Sequence, residues 1–182
     1  MKASDYFADP VLWAVKRGIT NGTGADTFSP GLTCTRGQIL TFIWRSVGSP
    51  EPSIANPYTD VSAQQFYYKP ALWAYENGLF SGTKFNGGVD CTRAEAVTYI
   101  YKSSGAEALG QLLSAGFTDV PASSAYANAV NWAVFARVTN GVSANRFGPN
   151  ATCTRGQIVT FLWRAERFKG LLNDWMMVDD FM

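Results

Sequence analysis

Thr33-Cys34-Thr35-Arg36-Gly37-Gln38 returns, nearly letter for letter, as Val89-Asp90-Cys91-Thr92-Arg93-Ala94-Glu95 and as Thr152-Cys153-Thr154-Arg155-Gly156-Gln157. Each copy runs into an apolar stretch that ends in an aromatic and a base: ILTFIWR to Arg45, AVTYIYK to Lys102 and IVTFLWR to Arg164. The chain is a triplicated unit. A threonine followed three residues later by Glu or Gln, just ahead of an apolar run, is a capping box: the hydroxyl takes an orphan backbone N–H and the longer side chain reaches back to the cap. Thr35, Thr92 and Thr154 therefore read as N-caps, with Gln38, Glu95 and Gln157 closing each box. The helices they open are expected over 36–46, 93–103 and 155–168.

This spacing places Arg36, Arg93 and Arg155 at the first helical position, where the helix dipole presents its positive end. A cation there is opposed by about 0.3–1 kcal/mol, and three repeats of it suggest a compensating anion. A carboxylate fits, since helix N-termini bind anions and a guanidinium grips a carboxylate with two parallel bonds. On that reading Arg155→Ala barely changes folding. The plainer alternative is that each arginine pairs with an acidic neighbour or lies over the adjoining loop.

The 182 residues, 47% of them apolar, are enough to bury a real core. A net charge of +1 gives no pull towards nucleic acid or an anionic membrane surface. No stretch has the roughly 18–20 uninterrupted apolar residues that cross a bilayer, and MKASDYFADP lacks the apolar core of a secretory signal. There is no histidine, which removes the commonest general base and metal ligand. The expectation is a chain that is not an enzyme and needs no cofactor or metal. Asp26 and Asp90, the pair that a glycosidase reading would use, fall at unmatched places in the repeats. Cys34, Cys91 and Cys153 each precede a capping threonine. A three-thiolate metal site is conceivable there, but small buried hydrophobes, unpaired and each pinned in its own unit, are favoured.

The first unit, residues 1–48, opens with Asp9-Pro10, a good cap followed by a residue suited to the first helical turn. Its short helix stops at Gly18, and the following loop carries Phe28 as an expected core anchor. The second unit, 56–104, has a helix with Trp73 that ends at Gly78, and a shorter loop. Trp73 and Arg93 stand 20 residues apart, against 23 for Trp13 and Arg36 and for Trp132 and Arg155. Residues 105–116 read as a connecting helix. The third unit, 117–168, has Arg137 where the others have glycine, so its short helix is expected to end differently. In the tail, 169–182, Leu171, Leu172, Trp175, Met176 and Phe181 continue from Phe168 at near-helical spacing and are expected to dock on the core. The repeat tryptophans read as core rather than as a sugar-stacking platform.

Units of this length with YTDV at 58–61, FTDV at 117–120, GITNGTGADTFSP at 18–30 and three TRGQ or TRAE boxes resemble S-layer homology domains, which commonly occur in threes. The resemblance implies a mainly α fold, with three helix-loop-helix repeats forming a pseudo-threefold spindle around a central helical bundle. It further implies a secreted protein held non-covalently at a bacterial cell surface by an anionic, pyruvylated secondary wall polysaccharide; the alternative is a structural surface-layer module that assembles with other surface proteins without binding glycan. Arg36, Arg93 and Arg155 inherit the carboxylate grip, supported by the three boxes. Asn21, Gly22, Ser81, Gly82, Asn140 and Gly141 fall in the loops that would line the grooves between repeats. Gln38 and Gln157 depart from the family's glutamate, and the first unit lacks the F-x-D-V start.

Overall fold

The computed structural model describes residues 1–111 and 113–178, with backbone alone for 107–108 and 173–178. Among the described residues seven helices follow one another: α1 (Ala8–Lys16), α2 (Arg36–Ser46), α3 (Tyr68–Glu76), α4 (Arg93–Ser104), α5 (Glu107–Gly110), α6 (Ala127–Phe135) and α7 (Arg155–Val178). Apart from isolated bridges, no strand occurs among the described residues. The fold is mainly α, as expected. No helix among the described residues is long and apolar enough to cross a membrane.

The three long helices begin where the boxes place them. Thr35 and Thr92 accept from the backbone N–H of Gln38 and Glu95, and those side chains accept from the threonine N–H in return. Thr154 and Gln157 exchange the same pair of bonds. The short helices are opened differently. Phe7, Tyr67 and Tyr126 stand at their N-caps without a side-chain hydrogen bond. Asp9 is thus not the cap of α1 but lies within its first turn, where its charge still favours the dipole.

The third short helix does not end differently from the other two. Arg137 adopts φ 54°, close to the 68° of Gly18 and Gly78. Its N–H meets Val134 O and the next N–H meets Ala133 O, as at the end of α1. Tertiary packing imposes the turn on a residue that enters it at a cost of about 1–2 kcal/mol. The connecting segment is helical only over Glu107–Gly110. Beyond it the Asn131 side chain ties down Leu113 O and Ala115 N.

Contacts between units close cyclically. α2 packs on α3, α4 on α6 and α7 on α1, while α2, α4 and α7 each touch the other two. At the centre, Cys34 N–H donates to Cys153 O (2.8 Å), Cys91 N–H to Cys34 O (2.9 Å) and Cys153 N–H to Cys91 O (3.0 Å). All three thiols are free and buried. The cysteines are therefore not pinned within separate units; they meet, because their backbones are the links of one ring. Among the described residues no group of three or more metal-ligating side chains could hold an ion.

The C-terminal helix runs past the expected 168. Phe168 packs on the core and meets Phe135 edge to face at 6.0 Å. Leu171 is 63% exposed and Leu172 37%, so neither of these two is buried on the core as expected. The side chains of Trp175 and Met176, and Phe181 altogether, lie outside the described residues.

Candidate ligand site at the unit junctions

Each long helix starts against the loop of the next unit in the cycle. Arg36 N–H donates to Val89 O and Gly37 N–H to Gly87 O; Arg93 N–H to Ala151 O and Ala94 N–H to Pro149 O; Arg155 N–H to Leu32 O and Gly156 N–H to Pro30 O, all at 2.8–3.0 Å. With the threonine hydroxyls on the third N–H, the outward amides expected to receive an anion are already occupied. The reason is topological: the carbonyls come from a different unit, a pairing that local spacing does not reveal.

The arginine side chains follow the same path into the neighbouring loop. Arg155 donates from Nε to Phe28 O at 3.0 Å and from Nη2 to Thr20 Oγ1 at 3.4 Å, with its guanidinium over the Phe28 and Phe42 rings. Arg93 repeats the pattern with Phe147 O, Thr139 Oγ1 and Asn140 O, over Phe147 and Phe161. Phe28, Phe85 and Phe147 each stand eight residues before their own unit's arginine, and each is gripped by the arginine of the preceding unit. Arg155→Ala, expected from sequence to leave folding nearly unchanged, would in fact strip three kinds of contact from a buried side chain.

Arg36 differs. Where the other two loops offer Thr20 and Thr139, the second offers Phe80, over whose ring Arg36 lies at 5.3 Å. Arg36 donates to Phe85 O and forms an ion pair with Glu95 Oε1 at 2.5 Å. Its Nε is buried and has no hydrogen-bond acceptor among the described residues. Burial pulls the Arg36 pKa down, but the hydrogen bond donated to Glu95 and the nearby Tyr99 and Glu95 groups together outweigh this and hold it above its ordinary value. Arg93 and Arg155 have Gln157 and Gln38 at the positions equivalent to Glu95. Neither has an ion pair among the described residues, and burial pulls both below the ordinary value. The signal was present in sequence as the exchange of Thr for Phe at position 80 together with Gln for Glu at position 95.

Two further carboxylates were missed. Asp60 accepts from the N–H groups of Phe85 and Asn86, and Asp119 from those of Phe147 and Gly148, at 2.7–2.9 Å. These are the aspartates of YTDV and FTDV, so that motif clamps the phenylalanine loop of its own unit.

The open space is uneven. A cavity of about 430 Å³ lies in the first unit's loop against Asn21, Gly22, Phe28 and Pro30. Another, of about 280 Å³, lies beside the start of α4 against Ala94, Glu95, Tyr126 and Asn150. Neither wall includes Arg36, Arg93 or Arg155. At the start of α2 the matching place is closed: a methyl group on Gly37 would lie 2.5 Å from the Tyr67 ring, whereas Ala94 already carries that methyl. Asn140 meets Arg93 through its carbonyl, and Gly141 packs closely on Phe117. Ser81 and Gly82 lie exposed in the shorter loop.

Residues 1–40, 57–97 and 116–159 match the S-layer homology domain, together more than half of the chain. The chain belongs to the S-layer homology domain family. It is 29% identical over 125 residues to a "Cell surface protein" of Thermoanaerobacter kivui, covering 65% of this chain and 16% of that protein. It is also 29% identical over 161 residues to the "Surface-layer 125 kDa protein" of Lysinibacillus sphaericus, covering 85% of this chain and 13% of that one. The chain thus spans less than a fifth of either relative.

Proposed function

We propose that these three S-layer homology repeats anchor a larger protein non-covalently at the cell surface by binding an anionic, pyruvylated wall polysaccharide between repeats. The cyclic junctions are read as a pseudo-threefold spindle, with α2, α4 and α7 as its central bundle. One observation carries the choice of an anion: two buried guanidinium groups, Arg93 and Arg155, have no carboxylate partner among the described residues, while Arg36 has Glu95. An unanswered buried charge is costly, and a ligand carboxylate at the mouth of either junction would answer it. On this reading Arg93 and Arg155 are the working positions, with Arg36 neutralised.

A second reading has its own observation. All three arginines staple one unit to the next, which fits a purely structural role in a module that assembles with other surface proteins.

Co-sedimentation with purified wall polysaccharide, before and after removal of its pyruvyl groups, separates the two. The lysine variants Arg93→Lys and Arg155→Lys keep the charge but lose the two-pronged fork, and together they should weaken binding by at least about tenfold. If the folded double variant binds as the wild type does, or if depyruvylated polymer binds equally well, the carboxylate reading fails and the assembly reading takes its place.

A further inference from the structure

Among the described residues, the third unit leaves uncovered a face that the first two cover. After α2 the chain turns at Gly48 and folds back over Trp44, whose indole N–H donates to Pro50 O at 2.8 Å. This segment reads Gly48-Ser49-Pro50-Glu51-Pro52-Ser53, and Glu51 pairs with Lys69 at 2.9 Å. After α4 the chain turns at Gly105, and α5 packs on Tyr101 so closely that a methyl group on Gly110 would lie 2.4 Å from the Tyr101 hydroxyl. In the third unit Arg167 stands where Gly48 and Gly105 turn the chain, and α7 continues to Val178. Trp163, the counterpart of Trp44 and Tyr101, is left beside a cavity of about 350 Å³. Among the described residues its indole N–H has no hydrogen-bond acceptor, and the Arg167 guanidinium lies 4.8 Å from its ring centre.

The walls define what would fill this place. Phe135 is 54% exposed and Leu171 63%, and Phe168 lines the same cavity. The rim carries Arg137, Arg164 and Arg167, none in an ion pair among the described residues; Glu166 is turned away towards Arg17. Arg137 holds its rim position in a left-handed conformation that glycine takes in the other two units.

We propose that this face docks an extended, proline-containing acidic peptide segment, of the chemistry that the chain itself lays over Trp44. An aromatic floor with an indole donor that has no acceptor among the described residues suits a polyproline-type backbone, whose carbonyls are unpaired and whose order is largely prepaid. Three guanidinium groups select an acidic residue within it. This is separate from the polysaccharide reading: it uses the outer face of α7 rather than the unit junctions.

The probe is the blocked hexapeptide of residues 48–53, GSPEPS, titrated into ¹⁵N-labelled protein while the tryptophan indole signals are followed, with Trp163→Phe assigning the relevant one. A saturable shift of the Trp163 signal is expected. The peptide GSPQPS, and the exposed variant Arg167→Gln, should each weaken binding by about fivefold, the scale of one partly solvated ion pair. Polysaccharide co-sedimentation by Arg167→Gln should be unchanged. Three outcomes overturn the proposal: no saturable shift up to about 10 mM peptide; equal affinity for GSPEPS and GSPQPS; or a Trp163 shift produced by wall polysaccharide and not by peptide, which would give the face to a glycan.

Discussion

Replacing Glu95 by Gln converts the second unit's box to the form of the other two, and its consequences can be worked through the Arg36 junction. The introduced glutamine still closes the capping box, as Gln38 and Gln157 do, so the start of α4 survives. What disappears is the 2.5 Å ion pair to Arg36, formed between side chains only 14% and 28% exposed. Its burial lies between the exposed pairs worth under about 1 kcal/mol and the enclosed ones whose breakage costs about 3–5 kcal/mol. A loss of about 2 kcal/mol follows, or about 4–8 °C in Tm for a chain of this size. The pH dependence supplies a second check. Burial pushes the Glu95 carboxyl up, but the Thr92 N–H and Arg36 outweigh this and hold its pKa below the ordinary value. A depressed folded-state pKa contributes stability that is fully present above the unfolded value of about 4.3 and is lost as pH falls through the folded one. The Tm gap between wild type and Glu95→Gln, measured by calorimetry, should therefore be widest near pH 7 and close below about pH 4. Under the carboxylate reading the variant also frees Arg36, and its affinity for pyruvylated polymer should hold or rise. A wild-type Tm at pH 7, or a gap undiminished at pH 3, would refute the reasoning.

Arg155→Ala should cost about 3 kcal/mol or more in urea denaturation, since it leaves Phe28 O and the Phe28 and Phe42 rings without their partner; a loss under 1 kcal/mol would mean that the staple is idle. Gly37→Ala forces the Tyr67 ring aside and should destabilise by about 1–3 kcal/mol, while Ala94→Gly, in a junction already open, should cost no more than about 1 kcal/mol by helix propensity; thermal melts of the two compare them directly. Burial pushes the Cys34 thiol up to about 12 and the Cys153 thiol up to about 11, so a thiol reagent at pH 8 should find almost no reactive cysteine in the native protein and three after unfolding.

The parts of this protein that could be read from sequence are those decided within a few residues. Thr35, Thr92 and Thr154 announce their helices because a capping box is complete in four positions, and Phe28 announces itself because an aromatic in a turn-rich loop needs somewhere to go. The fate of the arginines was not available in the same way. Arg36, Arg93 and Arg155 meet partners 49, 54 and 127 residues away, so the spacing that put them at helix starts said nothing of the carbonyls waiting there. It led instead to a free anion site at each start, which those carbonyls fill. Arg137 shows the reverse failing: a local rule favouring glycine was set aside by packing, and α6 closes as its counterparts do. Glu95 and Phe80 lay in plain view as departures from the repeat, yet only their meeting across Arg36 gives them one meaning.

The backbone ring through Cys34, Cys91 and Cys153 also governs the order of assembly. Two of its three links, and the bonds that hold the first loop, run to residues 153–156. A nascent chain therefore carries an unfinished first repeat until residues 153–156 have been made, with its loop carbonyls waiting for a helix more than a hundred positions downstream. Closing so long a loop is slow, although its length alone adds little to the equilibrium cost. Truncation after the second repeat should accordingly leave not two-thirds of the module but an opened ring, with the bridging positions Thr33 and Thr92 stripped of Thr154 and Thr152 and free to capture a third repeat from another chain.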